Sequence, residues 1–156
     1  MPPVAPDALD KHYPQVTYEA GLFMIDYLRR LNREFDNDLA CAIVLGEIAQ
    51  HSVRDLMKRD LPRSGMASAD FATPDRVAAG LKRCNALSVA QACGIPRETV
   101  RRKIDKLVAK GFVTRDDKGG LALVPGISGH FRSFDRQTVS DLVALAERVH
   151  SLVGAP

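Results

Sequence analysis

The stretch GIPRETVRRKIDKLVAKGFV, Gly94 to Val113, sets six basic side chains (Arg97, Arg101, Arg102, Lys103, Lys106, Lys110) around three apolar ones, Val100, Ile104 and Leu107. The wider charge pattern has the same bias. Residues 1–60 hold 7 Lys/Arg against 10 Asp/Glu, net −3, and residues 61–156 hold 15 against 9, net +6. Residues 82–118 alone hold 10 against 4, again +6. Positive charge gathered in one short stretch is the footprint of a polyanion partner, most often nucleic acid. The plain alternative is a solvated charged face.

Few other residues stand in a chemically suggestive pattern. His12, His51, His130 and His150 show no ligand spacing with one another or with a cysteine, so no metal site is expected. Cys41, Cys84 and Cys93 are odd in number and lack a CxxC spacing, which fits a reducing compartment without disulfides. Cys93 reads as a small buried hydrophobe more readily than as a redox sensor. Asp116-Asp117 reads as turn chemistry. No phosphate loop, nucleophile elbow or carboxylate pair stands out, so neither an enzyme nor a cofactor is expected.

The chain has 156 residues, 46% hydrophobic and 26% charged. That predicts one globular domain, or one with an appended helical part. The first ten residues carry no basic n-region or apolar h-region. The longest apolar run, LACAIVLG at 39–46, is far shorter than the ~20 residues of a spanning helix. The expectation is a soluble, cytoplasmic protein with no membrane partner.

The elements that must position the basic stretch follow from period and punctuation. Residues 1–17 hold four prolines and no period, and read as a flexible N-terminal arm. Leu22, Ile25, Leu28, Leu31 and Phe35 fall at helical spacing. Asp38 is the expected N-cap of a second helix, about 39–58, apolar on nearly all sides in its first half. Such a helix needs cover from the first helix, the last helix or a second subunit. Its small residues Ala40, Ala42, Gly46 and Ala49 suit close helix crossing or a pocket for a small apolar effector. Residues 59–72 read as a linker, and Thr73-Pro74-Asp75 as a helix start that runs to Cys84-Asn85.

Ser88 caps a short helix over 89–93 that stops at Gly94; Pro96 opens the basic helix and Gly111 closes it. Residues 112–114 and 121–124 flank RDDKGG as a hairpin. A last helix, about 135–152, is expected to bury Val139, Leu142, Val143, Ala146 and Val149. On a wheel with Val100 at zero, Ile104 and Leu107 fall at roughly +40° and −20°, which marks the buried side of the basic helix.

Helix, short helix, Gly turn, basic helix and hairpin are the parts of a winged helix-turn-helix. LSVAQACGIPRETVRRKIDKLVAKGFVTRDDKGGLALV resembles the winged helix-turn-helix regulators of bacteria, especially the GntR-like and MarR-like groups. The shared positions are the Gly turn, Thr-Val-Arg-Arg and Gly-aromatic-Val before the wing, and the resemblance covers about 75–125. Cys93 stands where such motifs have Leu, and Pro96 where they have a capping Ser or Thr. The resemblance implies a mainly α fold, with a winged helix-turn-helix at 73–126. Residues 18–58 and 127–156 would flank it as dimerisation helices, the first group also offering an effector site.

The implied function is a homodimeric transcriptional regulator that binds double-stranded DNA. The match places Arg97, Thr99 and Arg101 at DNA-contacting positions. Arginine in the major groove can donate two bonds to guanine. Arg102 and Lys106 suit phosphates, and Arg115 and Lys118 lie at or near the wing tip. The rival reading is a winged-helix protein-interaction module without specific DNA binding.

Overall fold

The computed structural model describes residues 6–59 and 83–154. The chain is mainly helical, with one small two-stranded antiparallel hairpin. The order is α1 (Pro6–Lys11), α2 (Tyr13–Glu34), α3 (Leu39–Arg59), α4 (Ala86–Cys93), α5 (Arg97–Ala109), β1 (Val113–Arg115), β2 (Leu121–Leu123) and α6 (Ile127–Val153). Residues 6–11 and 13–17, read as part of an arm, are helical. Pro6 and Pro14 each stand in a first turn, where a missing N–H breaks no helical bond. The helix start read at Thr73, and all of the 59–72 linker but Arg59, lie outside the described residues.

Two compact units emerge: residues 35–130, and residues up to Glu34 with those from Phe131 onward. The core of the first is built on α3. Cys41, Val44, Leu45 and Ile48 are buried at i, i+3, i+4 and i+7, one face of a helix. That face meets α5, α4 and β2. The buried side of the apolar run Leu39–Leu45, expected against the first or last helix or a second subunit, is thus covered from within the unit, while Ile43 is 47% exposed. The sequence reading set residues 18–58 apart from the basic helix. The structure places α3 in the same unit as that helix, and the unit starts at Phe35.

Local chemistry explains the rest of this unit. Asp38 caps α3: its Oδ1 accepts from Cys41 N at 3.1 Å. Asn85 caps α4, its Oδ1 accepting from Leu87 N and Ser88 N at 3.0 Å, while Ser88 Oγ accepts from Asn85 N at 3.2 Å. This is a capping box, so Ser88 is the reciprocal partner and the cap lies three residues earlier than read. Gly94 takes φ 67°, the left-handed turn between α4 and α5.

Val100, Ile104 and Leu107 are fully buried, as the wheel predicts. The C-terminus of α5 closes with Phe112 N donating to Leu107 O and Gly111 N to Val108 O, both at 3.0 Å. These are the two bonds of a Schellman motif. The strands pair Val113 with Leu123, Thr114 with Ala122 and Arg115 with Leu121. Cys84, read as the end of a helix, instead forms a bridge with Leu121.

In the second unit α2 and α6 run antiparallel, joined by side chains. Arg148 Nε meets Glu19 at 2.7 Å, and Arg30 Nη2 meets Asp141 at 2.8 Å. The Tyr27 and Phe134 rings lie 5.8 Å apart. The apolar stripe that α6 is expected to bury is not buried at Val139, Leu142 and Val143, each half or more exposed, and in α2 Leu22 and Ile25 are half exposed too. The inward positions are taken by Phe23, Tyr27, Arg30 and Phe134. The Gly126 turn, φ 83°, precedes α6, which starts at Ile127 and runs on through Ser128-Gly129.

Candidate nucleic-acid interface

Burial of Val100, Ile104 and Leu107 turns the opposite side of α5 to solvent, with Glu98, Arg101, Arg102 and Asp105 on it. Arg97 is exposed at the first residue of the helix and Thr99 is half-buried. Arg101 Nη1 meets Glu98 Oε2 at 3.3 Å, one helical turn away. Arg115, on β1, meets Asp105 at 2.6 Å and so ties the hairpin to α5. Both are solvent-facing pairs, which contribute ~0–1 kcal/mol and exchange partners readily.

The lysines face elsewhere. Lys103 Nζ and Lys106 Nζ lie 2.9 and 3.1 Å from Asp38 Oδ2, and Lys110 Nζ lies 2.6 Å from Asp36 Oδ2. Burial opposes ionisation of Asp38, but donors from Lys103, Lys106 and Cys41 outweigh it and hold its carboxyl below the usual range. The bond from Lys110 lowers Asp36 in the same direction. The bond to Asp38 raises Lys106. Lys106, assigned from sequence to phosphate contact, therefore has its ammonium held within the unit.

The turn of the hairpin is organised by Asp116. Its Oδ1 accepts from Lys118 N at 3.0 Å and Gly120 N at 2.6 Å, and its Oδ2 meets Arg83 Nη1 at 3.2 Å. The side chain of Lys118 is left exposed beside the turn. Of the nine described cations from Arg83 to Lys118, six hold an ion pair. Arg97, Arg102 and Lys118 hold none among the described residues.

Sequence reasoning thus found the basic cluster but missed its acidic partners. Asp36 and Asp38 are about 65 to 74 residues from the lysines they hold, and no local pattern links them. The signal that was present is the Asp-Asn-Asp run, read only as a cap. Cys93 is half-buried, whereas Cys41 and Cys84 are buried. Burial raises the thiols of Cys41 and Cys84 above their ordinary range.

In the helix-pair unit, a groove of about 320 Å³ is lined by Leu22, Phe23, Asp26, Arg30, Gln137, Asp141, Ala144 and Arg148. Arg30, one of its lining residues, is bonded to Asp26 at 2.9 Å and Asp141 at 2.8 Å, with its guanidinium 5.5 Å from the Phe134 ring centroid. The small residues of α3 do not line this groove; Ala42 is buried and Gly46 exposed.

Comparison with protein-family models, with curated proteins and with solved structures returns no match. Among the described residues no helix is long and apolar enough to cross a membrane.

Proposed function

We propose that residues 35–130 form a winged helix-turn-helix that binds double-stranded DNA, and that the chain acts as a homodimeric transcriptional regulator. The observation that carries the reading is the set of cations that hold no ion pair among the described residues: Arg97 at the start of α5, Arg102 on its outer side and Lys118 at the hairpin turn. The order α3, α4, Gly94 turn, α5 and hairpin, with a one-residue bridge from Cys84 to β2, supports it.

In this reading α5 enters the major groove. Arg97, and Arg101 once released from Glu98, offer forked donors to guanine, beside Thr99. Arg102 meets the backbone, and Lys118 with Arg115 reaches the neighbouring phosphates or minor groove. The exposed apolar side chains of α2 and α6 (Leu22, Ile25, Leu28; Val139, Leu142, Val143) support the dimer. A solvent-facing helix has no use for such stripes. An effector, if the regulator takes one, has the groove around Arg30 as its place.

A second reading has a specific observation behind it. Glu98 and Asp105 stand on the outer side of α5 and balance Arg101 and Arg115 there. A charge-balanced face suits a protein partner. Gel shifts with random duplex DNA at two salt concentrations separate the two. The DNA reading expects binding that weakens steeply with salt. Binding that is absent, or indifferent to salt, would favour the protein-partner reading.

A further inference from the structure

Asp36 and Asn37 have φ values of 54° and 62°, two consecutive left-handed residues. Asp and Asn tolerate that region better than other side chains. The turn they form carries the carboxylates of Asp36 and Asp38 onto one edge of α5. That edge bears Lys103, Lys106 and Lys110, spaced i, i+3 and i+7. Three of the six cations in the 94–113 stretch are therefore held by two carboxylates, at 2.6 to 3.1 Å. The arrangement imitates what adjacent phosphates would offer the same lysines. The Lys106 and Lys110 side chains remain 40% and 30% exposed, so both can swing to solvent when released.

We propose that the Asp36–Asp38 corner is a built-in polyanion that occupies the lysine edge of α5 and so limits how many phosphates the domain engages. It makes the corner a specificity determinant. Phosphate contacts add affinity for every sequence alike, so withholding three of them leaves base contacts a larger share of binding. Both carboxyls are held below their usual range by these same donors, so the corner stays charged at neutral pH. This inference rests on the DNA-binding reading for its biological setting, but its electrostatic content applies to any polyanion.

The test uses the full chain, with random-sequence duplex DNA and with heparin, by fluorescence anisotropy over a salt series. Asp36→Asn and Asp38→Asn remove charge while keeping the fold's local needs: Asn tolerates the left-handed turn and caps a helix as well as Asp. The slope of log affinity against log salt on DNA should steepen by about 0.9 for each lysine released. That means roughly one step for Asp36→Asn, two for Asp38→Asn and three for the double variant. The same ranking should hold on heparin.

Lys103→Gln with Lys106→Gln, in the otherwise unchanged chain, should leave the slope where it was, because those charges are already satisfied. Unchanged slopes in the Asn variants, or a shallower slope in the Gln variant, overturn the proposal. Graded steepening on heparin with no wild-type DNA binding supports the counter-ion role and overturns the DNA reading. Wild-type DNA binding with equal slopes throughout overturns the counter-ion role alone.

Discussion

At the scale of single residues the cations divide by what already holds them. Arg97 and Arg101 are assigned to base edges, and Arg115 and Lys118 to backbone. Arg97→Ala and Arg101→Ala should lose about 1–3 kcal/mol of discrimination per bidentate contact. Lys118→Ala and Arg115→Ala should weaken binding evenly across sequences. Binding-site selection from a random duplex pool reads the difference, and equal profiles for the two sets would refute the assignment.

Asp38 has two separable roles, as cap and as counter-ion. Asp38→Ala should lower stability by about 0.5–2 kcal/mol through the cap alone, and Asp38→Asn by less. The acid limb separates the roles further. Asp36 and Asp38 ionise lower in the folded chain than in the unfolded one. Their contribution is therefore present above about pH 4 and lost as pH falls through the folded values. Thermal melts from roughly pH 7 down to 3 should show a shallower acid limb for Asp38→Asn than for wild type.

At the scale of elements, two glycines support different predictions. Gly94 sits at φ 67° with nothing within 4 Å of a built Cβ, so Gly94→Ala meets only backbone strain. A loss of about 1–2 kcal/mol in denaturant melts is expected. Gly120 is the reverse case: an added Cβ would lie 2.6 Å from Asp116 Oδ2. Gly120→Ala should displace that carboxylate, release Arg83 and loosen the turn that carries Lys118. The expected readout is weaker binding to all duplexes with little change in melting temperature.

These elements were legible because their signals are local: a 3.6 period at Val100, Ile104 and Leu107, and a left-handed residue at Gly94 and at Gly111. The capping box of α4 was half legible, since Ser88 was seen and Asn85 was not. What covers α3 was not legible. An apolar run records that it is buried, but not which surface buries it. The stripe of α6 misled for the same reason, and that of α2 is likewise turned outward at Leu22 and Ile25. Their period gave the helices correctly, and the side turned to the partner helix proved to be the one carrying Phe23, Tyr27 and Arg30.

At the scale of the molecule, those unburied stripes make oligomeric state the decisive measurement. Sedimentation equilibrium should give twice the 17.1 kDa chain mass. Ile25→Glu with Leu142→Glu should return it to the single-chain value while the far-ultraviolet helical signal is kept. A wild-type chain that is monomeric at micromolar concentration would refute the dimer.

The Cys84–Leu121 bridge has a consequence in the time domain. A two-stranded ribbon by itself is marginal in water and frays. Here Leu121 N donates to Cys84 O at 2.7 Å and Cys84 N to Leu121 O at 3.2 Å, with both side chains buried. Leu121 pairs with Arg115 at the last rung before the turn, so the turn-proximal end of the hairpin is joined to the chain that leads into α4. In hydrogen exchange the amides of Cys84 and Leu121 should open only with the α3–α5 core, at the slow rate of that unit. Lys118 and Gly119, a few residues away at the tip, should exchange much faster. The hairpin would then be rigid up to its last rung with a quick turn beyond it, free to adjust while the strands behind it keep time with the core.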